Sequence, residues 1–452
     1  MRAYRSAPQG ILSPAVLEPK GAQLVAVLHQ LLESERAPAE EVAAARDRQL
    51  ATLLEHAWNT APAWRRRLEA AGYQPGTAPD TATWQAIAPL ERADLQSGET
   101  GFASEAPPAS HGSVYRMHSS GSTGSPVETL GTDVTRLFWQ AVTLRDHVRH
   151  GRDFSRAFAA VRPDRLEKGQ REAHLPDWGP PVRHVSESGP SAALHSSVPI
   201  DEQAAWLRRQ QPAYLLSFPS NLRELARELD RTGGPWPELV EIRTAGETVT
   251  GTLRGEIREW LGFELADTYS SQEVGVLAQQ VPGKASYLVE SETMHIDVVH
   301  DDGTPCAPGE IGRVLVTSLQ NFAFPTIRYA VGDYAEVGEP DPDYPGLPVL
   351  NRVVGRWRNM VVSPEGRRWW PSFPVDIWEE AGDVRQFRLE QTAPGAIDVL
   401  LVMGEPLTDA MQRQLVGSLH RTLGYPFDLN FRVVEEIPRS PSGKYEDFIS
   451  RM

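Results

Sequence analysis

The sequence predicts an α/β protein with a large layered N-terminal domain, part of it β-rich, and a small α+β C-terminal domain. Between about residues 135 and 335, amphipathic helical stretches alternate with short apolar runs, as is typical of layers around a largely parallel sheet. After a segment dense in Pro, Asp and Gly at 338–348, which reads as a linker, strand candidates surround one helix. The length of 452 residues also exceeds what one hydrophobic core usually serves, so two domains are expected.

Hydrophobic spacing places the individual elements. Apolar residues three and four positions apart predict helices at 22–35 and 40–57, and Pro62 is expected to end or kink the second helix. Strand–helix pairs are predicted at 213–217 with 221–230 and at 239–245 with 250–261. Strands at 294–300 and 312–317 form the β-rich portion. The C-terminal domain is predicted to contain strands at 350–354, 386–390 and 396–402 and a helix at 407–423.

Composition excludes several classes of partner. The formal net charge of −15 disfavours binding to nucleic acid or to anionic membrane surfaces. The single cysteine, Cys306, can form neither an internal disulfide nor a multi-cysteine zinc site. No run of about 18 apolar residues and no apolar signal segment is present, so a cytoplasmic protein is expected. The Pro- and Ser-rich segment 175–190 is predicted to be an exposed loop.

A loop rich in glycine and hydroxyl residues is the most informative motif. It offers many N–H and O–H donors, and glycine lets the backbone approach phosphate oxygens closely. The alternative for such a composition is an ordinary Ser/Gly linker. No Gly-Lys-Ser/Thr follows, which excludes a P-loop. The candidate phosphate-binding residues are Ser119, Ser120, Gly121, Ser122, Thr123 and Gly124.

Five further segments follow in order, and each taken alone could be structural. They are TAGE at 244–247, DTYSSQEVG at 267–275, RYAVGD at 328–333, GRWRNM at 355–360 and PRSPSGKY at 438–445. Together with the loop, this series resembles the motif set of the adenylate-forming superfamily, which includes acyl-CoA synthetases, peptide-synthetase adenylation domains and luciferases. The short lead-in before the loop is similar to that of the phenylacetate–CoA ligase branch.

The resemblance implies ATP and Mg²⁺ as cofactors and assigns roles to residues. Lys444 would be the catalytic lysine that bridges the acyl carboxylate and the α-phosphate, and Glu273 would hold the metal. Tyr269 would stack on adenine, Asp333 would accept hydrogen bonds from the ribose hydroxyls, and Arg356 would contact ribose or phosphate. The remaining nucleotide-binding positions that it implies are Ala245, Gly246, Glu247, Asp267, Ser270, Ser271 and Gln272. Ser270 and Gln272 replace the usual Gly and Thr, and Asn359 replaces a hinge aspartate.

The resemblance also implies two domains: residues 1–354 bind nucleotide and acid, and residues 355–452 form a mobile lid that carries the lysine. Phe218, Pro219 and Ser220 would line the pocket for a small carboxylic acid, and branch analogy favours an aromatic one. The acyl-adenylate would pass its acyl group to a thiol such as that of coenzyme A. Trp369 and Trp370 lie where relatives admit the pantetheine arm, so an amine acceptor stays open. A non-catalytic nucleotide-binding protein is the alternative from another class. The sequence does not fix the acid or the oligomeric state.

Overall fold

The computed structural model describes residues 4–96, 101–118, 127–374, 376–379, 382–439 and 444–452. Within these ranges the helices are α1 (Pro19–Ser34), α2 (Ala39–Thr60), α3 (Pro62–Ala70), α4 (Thr81–Ala86), α5 (Arg92–Gln96), α6 (Asp133–Arg149), α7 (Ile200–Gln210), α8 (Pro219–Arg231), α9 (Gly251–Leu261), α10 (Asp376–Glu379) and α11 (Asp409–Leu423). None of them is both long and apolar enough to cross a membrane.

The strands within the same ranges belong to one large sheet, two hairpins and one C-terminal sheet. They are β1 (Val114–His118), β2 (Glu128–Thr132), β3 (Phe158–Val161), β4 (Glu172–Leu175), β5 (Ser191–Leu194), β6 (Tyr214–Ser217), β7 (Glu241–Ala245), β8 (Leu265–Ser271), β9 (Gly275–Gln280), β10 (Tyr287–Val289), β11 (Met294–Val299), β12 (Ile311–Ser318), β13 (Tyr329–Val337), β14 (Val349–Arg356), β15 (Val361–Val362), β16 (Arg368–Trp369), β17 (Val384–Ala393), β18 (Ala396–Met403), β19 (Asp428–Val433) and β20 (Phe448–Ser450).

The large sheet has the order β11-β12-β13-β14-β10-β9-β8-β7-β6-β3-β5-β4. Its neighbours β5, β3, β6, β7 and β8 pair in parallel, and strands β8 to β14 pair antiparallel. Both the predicted α/β layering and the β-rich portion are therefore confirmed, and they share one continuous sheet.

Helix α8 shows how the parallel part is built. Leu222, Leu225 and Leu229 recur on one face and are fully buried against the sheet, next to Ile242 of β7. Pro219 stands at the first helical position, where its missing N–H costs nothing. The helix that sequence spacing predicts at 221–230 thus begins slightly earlier, directly after β6, and its first turn faces the carboxyl edge of the sheet.

The segment 338–348 is not an interdomain linker. It connects β13 to β14, and these two strands are neighbours in the large sheet. The predicted strand at 350–354 exists within β14, so it belongs to the large sheet and not to the C-terminal one. The segment is rich in Pro, Asp and Gly because it forms a turn-containing connection between adjacent strands. Such a connection favours the same residue types as an interdomain linker.

The C-terminal part contains the predicted small α+β unit. Its sheet has the order β19-β18-β17-β20, and β17 and β18 contain the predicted strands at 386–390 and 396–402. Helix α11 begins at a Thr408 capping box and ends at Gly424, which has a left-handed backbone. Leu415, Leu419 and Leu423 bury one face of this helix against the sheet.

The segment 175–190 is only partly the exposed loop that its composition predicts. Trp178 is buried, and its ring contacts His147, Phe154 and Tyr214. Its indole N–H donates to the carbonyl oxygen of Arg156 at 2.8 Å. Trp178 therefore belongs to a buried aromatic cluster, although the Pro and Ser content of its segment predicts an exposed loop.

A buried ion cluster attaches α1 to α6 and to the large sheet. The Arg145 side chain is 0% exposed, and its Nη1 donates to the Leu31 carbonyl at 2.9 Å and to Glu292 at 2.6 Å. Its Nη2 donates to Glu290, whose side chain is also fully buried. Arg149, one turn later on α6, donates to Glu35 at 2.6 Å.

The Arg145→Ala variant is expected to lose about 3–5 kcal/mol of unfolding free energy, because Glu290 and Glu292 would remain buried without their partner. Urea unfolding monitored by tryptophan fluorescence measures this loss. The matched control is Arg231→Ala, which removes an exposed arginine paired with Glu228 at 2.8 Å and is expected to leave the unfolding midpoint unchanged. Equal midpoints for both variants would contradict a structural role for the cluster.

Candidate active site

Residues from separate predicted segments converge on one cavity of about 300 Å³. It lies at the carboxyl ends of β6, β7 and β8, which share an edge because these strands are parallel. The C-terminal part closes its open side. The predicted residues among its lining are Pro219, Ser220, Gly246, Glu247, Asp267, Tyr269, Ser270, Asp333, Arg356 and Lys444.

Gly246, directly after β7, forms a turn that lies against Phe218 and Lys444. Its φ of +92° is strained for any residue with a side chain. A Cβ there would lie 3.3 Å from the Phe218 ring and 3.5 Å from Cε of Lys444. The turn therefore favours glycine for its backbone angle and for the close contact with the Phe218 ring, whereas the distance to Lys444 is an ordinary van der Waals contact.

Asp333 is fixed by two neighbours. The Tyr269 hydroxyl donates to Oδ2 of Asp333 at 2.9 Å, and Nε of Arg356 lies 3.4 Å from Oδ1. Asp333 and Arg356 are direct partners in the β13–β14 register, so the sheet itself sets their pairing. Burial and the adjacent Asp333 carboxylate raise the pKa of Tyr269, which keeps its hydroxyl a donor. The arrangement presents an oriented carboxylate and an aromatic ring at one cavity wall.

Glu247 joins three elements through one carboxylate. It accepts hydrogen bonds from the Ser220 backbone N–H at 2.9 Å and from the Ser220 hydroxyl at 3.1 Å, both at the start of α8. It also accepts from the backbone N–H of Tyr445 at 2.8 Å. Burial raises the pKa of Glu247. Since Tyr445 follows Lys444 directly, this carboxylate helps to fix the lysine over the cavity.

Lys444 lies in a cationic region. Its pKa is lowered, first by burial and then by the positive charge of Arg356 and of Arg162, and Glu247 partly opposes this shift. Cations that are gathered in a partly desolvated cleft are suited to bind phosphate or carboxylate groups. The cleft therefore combines phosphate-binding charge with an oriented carboxylate acceptor.

Two predicted residues lie near the cavity without lining it. Phe218 is buried beneath Gly246, and the guanidinium of Arg162 stacks over its ring at 4.2 Å. The carbonyl of Ala245 accepts a hydrogen bond from Arg162 at 3.1 Å. Phe218 and Ala245 thus lie behind the residues that line the cavity, and the prediction that Phe218 lines the acid pocket is not met in this arrangement.

Asp267 lines the cavity, but both of its carboxylate oxygens accept hydrogen bonds from other residues of the protein. Thr244 donates to one of its carboxylate oxygens at 2.6 Å, and the Tyr287 hydroxyl donates to the other at 2.7 Å. Burial raises the pKa of this carboxyl. The side chain thus joins β7, β8 and β10 at the sheet edge.

Ser271, Gln272 and Glu273 lie outside the cavity lining, at the end of β8. Oε1 of Glu273 pairs with Arg92 of α5 at 2.9 Å, and its other oxygen accepts from the Ser271 hydroxyl. The predicted metal ligand is therefore held by an arginine that the sequence motifs did not indicate. The predicted phosphate loop, Ser119–Gly124, lies outside the described residues.

The junction between the two parts contains the predicted turn GRWRNM. Asn359 donates to the Phe448 carbonyl at 2.5 Å, and Arg358 pairs with Glu446 at 2.7 Å. Trp370 packs against Gly355, where a Cβ would lie 3.1 Å from its ring, and donates to the Arg356 carbonyl at 3.0 Å. Of the two adjacent tryptophans, Trp370 is the one that lines the cavity.

Sequence reasoning missed Glu224 and Arg439. Both are near the cavity and pair with each other at 2.8 Å. Arg439 lies inside the PRSPSGKY segment, but the sequence of that segment does not predict which residue it contacts. Glu224 occupies an ordinary polar position of an amphipathic helix, so no local signal marks it.

Known proteins resemble parts or most of this chain. A family described as the CapK C-terminal domain matches residues 361–451. The phenylacetate-coenzyme A ligase of Escherichia coli (strain K12) is 26% identical over 387 residues, which span 82% of this chain and 84% of that ligase.

Solved structures show the same fold. 2-Hydroxyisobutyryl-CoA ligase in the postadenylation state with 2-HIB-AMP has a TM-score of 0.68 and 18% identity, covering 92% of this chain and 90% of that one. The same ligase in the thioesterification state, with 2-HIB-AMP and CoA, has a TM-score of 0.58 and 19% identity, covering 92% and 91%. Over most of its length the chain is therefore similar to phenylacetate-coenzyme A ligases, and its fold is that of a solved CoA ligase.

Proposed function

We propose that this ligase activates a small carboxylic acid with ATP as an acyl-adenylate, releasing pyrophosphate, and then transfers the acyl group to the thiol of coenzyme A. The observation that carries the proposal is the convergence of Lys444, Arg356, Asp333 and Gly246 on one cavity. The names of the relatives support the reaction, since one is a phenylacetate-coenzyme A ligase and another was solved with an acyl-AMP and CoA.

The cavity suits a nucleotide. Its volume of about 300 Å³ falls in the range of small-molecule sites. Asp333 offers acceptor oxygens for ribose hydroxyls, the Tyr269 ring offers an aromatic face, and Arg356 offers a cation for phosphate. We assign Ala245, Gly246 and Glu247 to the turn beside the base, and the loop Ser119–Gly124 to the phosphates.

A magnesium ion fits the donor chemistry at Glu273. Mg²⁺ usually takes one or two protein carboxylates together with substrate phosphates and water. The Glu273 carboxylate is such a ligand, and its pairing with Arg92 at 2.9 Å orients it. When bound, the metal supplies neutralisation of phosphate charge. Arg92 then has to share or release this carboxylate.

Lys444 supplies the charge for the first step. The acid carboxylate attacks the α-phosphorus, negative charge builds on the phosphate oxygens, and the ammonium of Lys444 stabilises that charge together with Arg356. Glu247 keeps the lysine in place by holding the Tyr445 amide at 2.8 Å. The low-dielectric cleft strengthens these interactions relative to water.

The acid pocket is assigned to the start of α8 and the β7 turn. Pro219, Ser220 and Gly246 line the cavity there, and branch analogy favours an aromatic acid. Coenzyme A is the proposed acceptor because CoA ligases are the relatives. No contact among the described residues favours an amine acceptor or a non-catalytic nucleotide-binding role. ATP and coenzyme A are intracellular metabolites, which supports a cytoplasmic location.

We further propose that residues 1–354 and 355–452 are two domains that rotate between the two steps. 2-Hydroxyisobutyryl-CoA ligase resembles this chain more in its postadenylation state, with a TM-score of 0.68, than in its thioesterification state, with 0.58. This difference supports an arrangement close to that of the first step. Rotation about the 355–360 junction would move Lys444 out of the cavity.

ATP–pyrophosphate exchange across a panel of aryl, aliphatic and amino acids tests the proposed function. At least one acid, phenylacetate or a compact relative, is expected to support exchange. The Lys444→Ala variant is expected to lose about 10²–10³-fold in exchange rate, because a transition-state charge partner is removed.

The matched control for this test is Lys168→Ala, which removes an exposed lysine that does not line the cavity and is expected to exchange like the wild type. Exchange at the full rate in Lys444→Ala would contradict the role of the lysine. Absence of exchange with every acid of the panel would contradict the proposed function.

The lowered pKa of Lys444 predicts an alkaline limit to adenylation. The protonated lysine carries the needed charge, so the exchange rate should fall as pH rises through a pKa below the usual 10.5. Exchange measured between pH 7 and pH 10.5 should show this decline in the wild type. The Lys444→Arg variant should lack the decline, since arginine keeps its charge. Parallel profiles for both proteins would show that another group sets the limit.

A further inference from the structure

The segment that carries Lys444 is attached to the large part of the molecule on both of its sides. Arg439 lies on the N-terminal side of the lysine and Tyr445 on the C-terminal side. Each makes a polar contact with α8 or with the turn after β7. Two cross-contacts thus hold the segment that carries the lysine.

Arg439 makes the first cross-contact with two different nitrogens. Its Nη1 donates to the Ser220 hydroxyl at 2.9 Å, and its Nη2 donates to Oε1 of Glu224 at 2.8 Å, one turn further along α8. Both side chains of the ion pair are largely buried, with 16% and 27% exposure. Burial also raises the pKa of Glu224, against the opposing effect of Arg439. In a partly desolvated site such a pair is stronger than a surface ion pair.

Glu247 makes the second cross-contact, and the two contacts share a residue. Ser220 donates to Glu247 from both its backbone and its hydroxyl, and the same hydroxyl accepts from Arg439. Glu247 in turn holds the Tyr445 amide at 2.8 Å. Arg439, Ser220, Glu247 and Tyr445 therefore form one continuous chain of hydrogen bonds around the lysine.

Within the C-terminal part the same segment is held independently. Arg388 of β17 donates to the Pro438 carbonyl and to the Glu446 carbonyl, both at 3.0 Å. The Arg388 guanidinium also lies 5.0 Å from the centre of the Tyr445 ring. These contacts lie within the C-terminal part and involve neither α8 nor the turn after β7.

We propose that Arg439 and Glu224 are positioning residues that form a releasable latch, holding Lys444 over the cavity for adenylation and opening for acyl transfer. This inference rests on the proposed function and on its rotation between steps. Contacts present in only one arrangement stabilise that arrangement alone. Breaking the latch should therefore slow the first half-reaction selectively.

The test measures the two half-reactions separately in Arg439→Ala, Glu224→Ala and the double variant. ATP–pyrophosphate exchange with the fastest acid of the panel reports the first. Coenzyme A transfer from that acid's synthetic acyl-adenylate reports the second. Each single variant is expected to lose about tenfold in exchange, as for a lost hydrogen bond to a charged group, with transfer unchanged or faster. The double variant should be no slower than Arg439→Ala, because the two residues act as one pair.

The matched control is Arg451→Ala, which removes an ion pair with Glu390 at 3.0 Å inside the C-terminal sheet. It is expected to leave both half-reactions unchanged. Equal losses in exchange and transfer, or no loss in either, would overturn the latch.

Hydrogen exchange separates failure of the latch from failure of the proposed function. The amides of residues 444–452 should exchange faster in Arg439→Ala than in the wild type and in Arg451→Ala, with no acid present. If the wild type adenylates but these amides exchange equally in all three proteins, the latch is wrong and the function stands. If the wild type adenylates no acid, the function fails, and the inferred catalytic role of the latch fails with it.

Discussion

The carboxylate of Glu247 is the point on which the candidate site depends. It lies just after β7, at the edge where parallel strands end, and it accepts hydrogen bonds from the start of α8 and from the segment that carries the lysine. Without this acceptor the Tyr445 amide would lack its partner at the cleft, and Lys444 would lose a tie to the sheet. Gly246 beside it permits the positive φ of this turn and the close contact with the Phe218 ring. The Glu247 carboxylate thus joins the sheet edge to the segment that carries Lys444.

Asp267 and Asp333 differ in how their carboxylate oxygens are used. Asp267 uses both oxygens within the protein, on Thr244 and Tyr287. Asp333 is oriented by Tyr269 and Arg356 but faces the cavity. An oriented carboxylate can accept hydrogen bonds from ligand hydroxyls at little further entropic cost, because its own freedom is already lost. Lys444 is fixed in a related way through the next residue, because the Tyr445 amide donates to Glu247 at 2.8 Å.

Much of the fold was predictable because its signals are local. The leucine spacing of α8 and the cap and glycine of α11 mark helices by themselves, and the order of the motifs indicated which segments meet. The membership of β14 was not predictable, since only its register with β13 places it in the large sheet. Trp178 was missed because Pro and Ser content describes a turn without saying what the turn packs against. The Glu224–Arg439 pair joins residues 215 positions apart, and no periodicity reports such a contact. The same holds for Arg92, whose partner Glu273 lies 181 positions away.

The central claim is that an acid carboxylate attacks the α-phosphorus of ATP at this cavity. The most direct measurement uses an acid of the active class labelled with ¹⁸O in its carboxylate, incubated with ATP, coenzyme A and the protein, with the products analysed by mass spectrometry. Attack on the α-phosphorus transfers one labelled oxygen to AMP, and this is the result the account predicts. Label found in orthophosphate, with ADP as the nucleotide product, would show an acyl-phosphate route and would contradict it.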